Sequence, residues 1–409
     1  MDKEQINHGT PWTQEEMQFL FEGRTNFPPK PYSLIGAELG RTVDSCQCKF
    51  RDTNWEKKGF TVDPVVDEER YASKSKFTGQ VVDSLSRKHH AHAIRADAIA
   101  DALERAVECL PKAPLTKYVP NKKVKGDRHP EDIGLILSDL HIGHEHTMAD
   151  TGGISEYNVD IYKKRMQNLQ AGMTEICELH RSYTKISTLR IFCLGDIVAG
   201  MNAVGQWSPI YVRPSIVDQM MEGFYSLRDA IWYWLTFFDN IEFYGIGGNH
   251  GRTAQQGVQP DRDNWDYVCY QLLQVAFGDN PRIKFHVPKT WWYQDTIRSH
   301  NFLLVHGDYT RNGRPMNALS NFYQNMSNIV QASKLPRPNY LLAGHFHNSA
   351  EETINGGRIL LNGSFVGADV YSLRNVHRYS PPEQKIFGIH DQHGITWTCN
   401  INLDIERSL

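Results

Sequence analysis

Five apolar runs in this chain stop abruptly in residues that bind metals. "IGLILSDLH" ends in Asp139 and His141, "LRIFCLGD" in Asp196, "IEFYGIGGNH" in Asn249 and His250, "NFLLVHGD" in His306, and "NYLLAGHFH" in His345 and His347. Short apolar runs bounded by glycine and polar groups read as buried strands. Between them lie stretches of helical period. "DIYKKRMQNLQAGMTEICELH" places Ile161, Met166, Leu169, Met173 and Ile176 on one stripe, and "PSIVDQMMEGFYSLRDAIWYWLTFF" carries a proline in its first turn. Strand alternating with helix is the pattern of an α/β domain. Ligands of such sheets gather outside the carboxyl ends of the strands, so the five exits should converge on one site.

The residue types narrow the chemistry. Mixed oxygen and imidazole donors suit manganese, iron or zinc, whereas an all-oxygen set would suit magnesium or calcium. No single ion needs this many donors. Two ions roughly 3.5 to 4 Å apart, sharing a carboxylate and a water whose pKa they lower, form the usual clamp for in-line attack on phosphorus. Asp196 is the natural bridge, and Gly195 lets the backbone turn sharply before it.

In order, "SDLHIGH", "LGDIVAG", "GGNHGR", "LLVHGD" and "AGHFH" resemble the five motifs of the calcineurin-like metallophosphoesterase superfamily, over roughly residues 133–370. The resemblance implies a metallophosphoesterase fold of the α/β class, a β-sandwich flanked by helices. It implies two divalent ions, Mn2+ first, with Fe2+ or Zn2+ as alternatives. Asp139, His141 and His347 would hold one ion, Asn249, His306 and His345 the other, with Asp196 shared. His250 would stand near the scissile phosphate and protonate the leaving oxygen. Two positions depart from the family pattern. Ala199 replaces the carboxylate that usually orients the catalytic histidine, and Gly251 with Arg252 replaces the acidic residue after it. Arg252 reads either as a phosphate contact or as a surface arginine. His144 and His146 flank the first exit as loop residues, and "GSFVGADVYS" after the last exit reads as a sheet connection or as a lining of the site.

The first sixty residues have a different texture. "PWTQEEMQFL" opens a helix with Thr13 in capping position, Glu15 and Glu16 in the first turn, and Met17, Phe19, Leu20 and Phe21 behind them. "SLIGAELG" is a second helix closed by Gly40. "TVDSCQCKFRDTNW" is a third, with Val43, Cys46 and Phe50 on its inner face. Three short helices with "LGRT" before the last resemble a Myb or SANT-like helix-turn-helix, an all-α module with Trp12 and Trp55 at tryptophan positions and Phe27 or Tyr32 in place of the middle one. The resemblance implies DNA contacts from Arg41, Lys49, Arg51, Lys57 and Lys58, or a protein-docking role. The expected organisation is this domain at 1–60, a helical, charged linker at 61–130 that contains "AIRADAIADALERAVECL", and the phosphoesterase domain at 131–409.

Composition excludes more than it selects. A formal net charge of −3 gives no overall attraction to nucleic acid, so DNA contact must come from local patches. Seven cysteines without a CxxC pair argue against a disulfide framework and a thiolate zinc site, and suit a reducing cytoplasm, a host's if the protein is viral. The longest apolar run, "AIWYWLTFF", is far short of the roughly 20 residues a bilayer requires, so no membrane partner is expected. A DNA-reading module joined to a phosphoester-cleaving site points to a DNA nuclease. A phosphomonoesterase, a cyclic-nucleotide phosphodiesterase and a DNA-binding accessory protein with an idle metal site are the alternatives. The sequence leaves the oligomeric state open.

Overall fold

The computed structural model describes residues 11–25, 32–53, 130–201, 212, 214–254, 256–257, 260–310, 315–370, 372–377 and 379–405. Trp55, Lys57, Lys58 and the linker residues 61–129 lie outside the described residues. The chain separates into two units, Met1–Ile99 and Ala100–Leu409.

The first unit contains α1 (Gln14–Thr25), α2 (Tyr32–Leu39) and α3 (Val43–Asp52). A capping box opens α1: the Glu16 amide donates to Thr13 Oγ1 (3.2 Å) and the Thr13 amide to the Glu16 carboxylate (2.8 Å). At the end of α2, Gly40 takes φ 67° and the Arg41 amide returns to the Gly36 carbonyl at 2.8 Å, closing the helix. Leu20, Ile35 and Cys46, one from each helix, are fully buried, with Trp12, Tyr32 and Phe50 packed around them. Val43 does not share that inner face. It is exposed because it heads α3, one turn before the packed face begins at Cys46.

Arg41 also corrects an expectation. Its side chain is 5% exposed and grips Glu16 through Nε (2.7 Å) and Nη2 (2.9 Å), with its guanidinium 4.3 Å from the Trp12 ring centroid. A guanidinium held in that way ties α3 to the start of α1 and is not presented to a DNA backbone. Lys49 and Arg51 lie in the last turn of α3, Arg51 exposed and Lys49 partly so.

In the second unit, β1 (Glu131–Leu137), β2 (Ile186–Cys193), β3 (Asn240–Gly245) and β4 (Ile283–His286) run parallel, and β10 (Glu383–His390) and β11 (Gly394–Asn402) add antiparallel on the β1 side. A second sheet has the order β5-β6-β7-β9-β8, from β5 (Trp292–Ile297), β6 (His300–Val305), β7 (Tyr340–Ala343), β8 (Ala350–Ile354) and β9 (Gly357–Leu361). Strand alternation assigns each apolar side chain to a layer. Leu304, Leu342 and Leu360 stand in one register row and face Phe192, Tyr244 and Phe387 of the first sheet, forming the core of a sandwich. Leu303, Leu341 and Ile359 form the adjacent row and face Leu319, Tyr323 and Met326 of α7 (Pro315–Ala332). Phe192 stacks on Tyr244, Phe387 and Phe302 with centroids 5.1, 5.9 and 6.0 Å away. Each such ring contributes roughly 1.5 to 3 kcal/mol by burial.

Helices α4 (Val159–Arg181), α5 (Ile216–Trp234) and α6 (Trp265–Phe277) belong to the first sheet's side. Of the predicted stripe, Met166, Leu169 and Met173 of α4 are buried while Ile161 and Ile176 are only partly so; Tyr162 and Cys177 complete the inner face. Pro214 does not lie in the first turn of α5. It precedes the N-cap Ser215, whose side chain accepts the Asp218 amide, so the helix starts after it. Among the described residues no helix is long and apolar enough to cross a membrane.

Candidate metal centre

The five exits are the carboxyl ends of β1, β2 and β3 in one sheet and of β6 and β7 in the other, so the site sits where the two sheets share a rim. The loops that leave these strands are bonded to one another. The Asp139 amide donates to the Gly195 carbonyl (3.1 Å), the His141 amide to the Asp196 carbonyl (3.0 Å), and the Gly344 amide to the His306 carbonyl (2.8 Å). The His345 amide meets both carboxylate oxygens of Asp139 at 3.0 Å, which joins the first exit to the last.

Backbone strain concentrates here. Asp139, His141, Asp196, His345 and His347 all have positive φ, between 44° and 73°, and they are half of the ten described non-glycine residues that do. Each such residue is held in a sparsely populated region by surrounding contacts, which is a mark of functional sites. Gly195 takes φ 89°, and a Cβ there would come within 2.4 Å of the Gly248 nitrogen, so two exits touch backbone to backbone.

Every ligand expected from the sequence arrives in this space. His141 Nε2 is 2.9 Å from His347 Nε2, 3.8 Å from Asp196 Oδ2 and 3.9 Å from Asp139 Oδ1, while His347 Nε2 is 3.5 Å from Asp139 Oδ1. On the other side His306 Nε2 is 3.1 Å from Asp196 Oδ2 and 3.0 Å from Asn249 Oδ1. The donor atoms of Asp139, His141 and His347, and those of Asp196, His306 and His345, lie within 4.8 Å of one another. Neighbouring ligands at bond lengths of about 2.1 Å stand about 3 Å apart, so both groups fit a divalent ion with nitrogen and oxygen donors. Asp196 touches both groups, as its expected bridging place requires. The donor atoms of His141, Asp196 and His250 also fall within 4.8 Å, so distance alone makes His250 a candidate ligand too.

The charges are arranged to match. Burial holds His141 well below the usual imidazole range and His345 down at about 4, so both are neutral with lone pairs to offer. Burial opposes protonation of His306, but the adjacent Asp196 carboxylate outweighs it and carries that imidazole up to about 10. His347 is likewise raised against its burial by Asp139. Burial pushes Asp196 up, yet His306, His250 and His141 around it hold the carboxyl well below its ordinary value. The acids thus draw positive charge into the site.

His250 is oriented without the missing carboxylate. Its Nδ1 is 3.0 Å from the Ala199 carbonyl oxygen, and its amide donates to Asp196 Oδ1 at 2.8 Å. A main-chain carbonyl, that of residue 199, therefore fixes the ring. Arg252 is not a loose surface residue: its guanidinium is paired with Asp308, two residues past His306.

Three carboxylates were not singled out from the sequence. Asp266, fully buried at the start of α6, accepts the amides of Asp196 (2.9 Å), Ile197 (3.1 Å) and Gly248 (2.9 Å) and so fixes two exits. Burial, then the charge of Asp196, pushes its carboxyl up to about 6. Asp308 follows His306 by two residues. Asp369 lies in the segment after β9, whose Phe365 amide donates to the Asp139 carbonyl (3.0 Å); burial raises its carboxyl, but His347, the Ser372 amide and His144 hold it below its ordinary value. His144 and His146 pack together, with ring centroids 5.2 Å apart, on the same side.

No family model matches the chain, and none of the curated proteins matches it. Among solved structures it is similar to a hypothetical protein from Pyrococcus horikoshii OT3, at 12% identity and a TM-score of 0.35, over 68% of this chain and 89% of that one. It is similar to Vacuolar Protein Sorting 29 from Cryptosporidium parvum, at 12% identity and 0.31, over 66% of this chain and 98% of that one. A third is described as a novel archaeal phosphodiesterase, at 13% identity and 0.28, over 62% and 92%. Likeness at this level carries no argument, and the functional reading rests on the site.

Proposed function

We propose that the chain is a metal-dependent phosphoesterase of the calcineurin-like superfamily, with a dinuclear centre, that hydrolyses phosphodiester bonds, and that its substrate is DNA. The observation that carries the reading is the chain of overlapping donor groups at five strand exits: Asp139 with His141 and His347, His141 with Asp196 and His250, and Asp196 with His306 and His345. Two divalent ions bound there, manganese first, supply Lewis acidity toward the phosphoryl oxygens and an activated water. Asp139, His141 and His347 would hold one ion, and Asn249, His306 and His345 the other.

The remaining residues orient and move protons. The Ala199 carbonyl engages Nδ1 of His250, so a proton given to the leaving oxygen departs from Nε2. A carbonyl fixes the ring but adds no negative charge to stabilise the imidazolium, which makes this a weaker acid than one backed by a carboxylate. Asp266 keeps the Asp196 and Gly248 turns in place while the charge on phosphorus changes. The helical unit, with Lys49 and Arg51 on α3, would tether the duplex and raise the local concentration of phosphodiester.

The test is cleavage of end-labelled linear duplex, single-stranded and closed-circular DNA by protein stripped with chelator and then given manganese, with Asp196→Asn as control. Cutting by the wild type alone supports a metal-dependent nuclease, and the products separate exonuclease from endonuclease. Intact DNA beside hydrolysis of p-nitrophenyl phosphate would move the substrate to small phosphoesters. Intact substrates throughout, with manganese bound, would overturn the enzymatic reading.

A further inference from the structure

Arg252 and Asp308 come from different exits, three residues past Asn249 and two past His306, and their side chains meet. Arg252 Nη2 donates to Asp308 Oδ2, and the pair is secluded, with side chains 16% and 6% exposed. The guanidinium lies over the Tyr309 ring, 5.2 Å from its centroid. Tyr309 is itself fixed, its hydroxyl donating to Asp261 (3.0 Å) and Trp291 stacking on it at 4.5 Å.

The pairing is one-sided. An arginine beside a carboxylate can take both oxygens in a fork, and a buried carboxylate normally finds partners for both. Here Asp308 Oδ1 is buried and has no hydrogen-bond partner among the described residues. The carboxylate therefore engages the guanidinium through Oδ2 alone, and the guanidinium rests against the Tyr309 side chain.

We infer that Arg252 and Asp308 form a phosphate-binding arm, in which Asp308 is a positioning residue that presents the rest of the Arg252 fork to the non-bridging oxygens of the phosphoester. This rests on the phosphoesterase reading. The competing role is a lock between the Asn249 and His306 loops, which would act on metal affinity instead.

Manganese-loaded full-length protein distinguishes the two. Inorganic phosphate affinity and manganese affinity are measured by calorimetry, and KM and kcat on bis(p-nitrophenyl) phosphate, for wild type, Arg252→Ala, Arg252→Lys, Asp308→Ala and Asp308→Asn. The arm predicts phosphate affinity tenfold or more weaker in both alanine variants, a matching rise in KM, unchanged manganese affinity, and partial rescue in Asp308→Asn, whose amide oxygen still accepts from Arg252. Should the alanine variants misfold in thermal melts, Arg252→Lys, which keeps the charge and loses the fork, must still weaken phosphate binding. Unchanged phosphate affinity with weakened manganese binding, in an enzyme that still hydrolyses the diester, would overturn the arm alone. A wild type that neither binds phosphate nor hydrolyses the diester would overturn the phosphoesterase reading, and the arm with it.

Discussion

Replacing Asp266 tests whether the site is held from behind by one buried carboxylate. Three amides point at it, from Asp196, Ile197 and Gly248, at 2.9, 3.1 and 2.9 Å. Hydrogen bonds to an ionised acceptor contribute about 1.5 to 3 kcal/mol each, and Asp266→Ala leaves all three donors buried without a partner. Against that stands the cost of keeping a charge inside. Burial and the charge of Asp196 push the carboxyl up to about 6 even with those bonds made, so part of their gain is offset by a cost that the alanine variant recovers. The net loss should be about 4 kcal/mol. Asp266→Asn behaves differently, because its one oxygen can occupy the Oδ2 place shared by Asp196 and Gly248, leaving only the Ile197 amide opposed by an NH2 group. With the charge also gone, that variant should stay within about 1 kcal/mol of wild type. Urea titrations followed by tryptophan fluorescence give both values from the midpoints. Manganese affinity should drop ten- to a hundredfold in the alanine variant, since the loops that carry Asp196 and Asn249 lose their common anchor. An alanine variant as stable as wild type, or an asparagine variant as damaged as alanine, would refute the reasoning.

Gly248→Ala should abolish manganese binding or folding outright, because a Cβ there would lie 2.1 Å from Asp196 Oδ1 and 2.3 Å from its nitrogen; circular dichroism and calorimetry separate the two outcomes. Glu242 is held down at about 2, from 4.5, by His286, whose Nε2 lies 3.6 Å from its carboxylate, and by Arg190, so its stability contribution is present above about 4.5 and lost as pH falls through 2. Acid titration of Glu242→Gln should lack the loss of stability that wild type shows over that window. In the helical unit, Arg41→Ala should lower the melting temperature, whereas alanine at Lys49 and Arg51 should leave it unchanged and weaken DNA binding in a salt-dependent way, seen by fluorescence anisotropy.

Much of this site could be read along the chain because each ligand stands next to the strand that delivers it. An apolar run ending in Asp139 or His306 announces both the strand and the donor; His345 and His347 are not paired by pleating, since both lie past the end of β7 in a bend with positive φ. The α4 stripe and the capping box at Thr13 were legible for the same local reason. What escaped was long-range. Asp266 looks like an ordinary first-turn acid of a helix, and only the packing of α6 beneath two exits turns it into their anchor. Arg41 looks like a basic residue ahead of a recognition helix until Glu16, far back in sequence, claims it. Ala199 looked like a loss because sequence displays side chains, and the group that orients His250 is a carbonyl. The division of the strands between two sheets was not legible, since periodicity does not say which sheet a strand joins.

That division has a mechanical consequence. Three exits belong to one sheet and two to the other, so the donor groups straddle a seam: His347 joins Asp139 and His141 across it, and His306 and His345 join Asp196. An ion bound to either group would act as a rivet between halves that are also joined by apolar packing and by polar contacts such as the His345 amide on Asp139 and Tyr244 on Asp295. Its removal would do more than silence the centre. It would free the two sheets to shear against each other at the rim while the opposite end of the sandwich stayed closed.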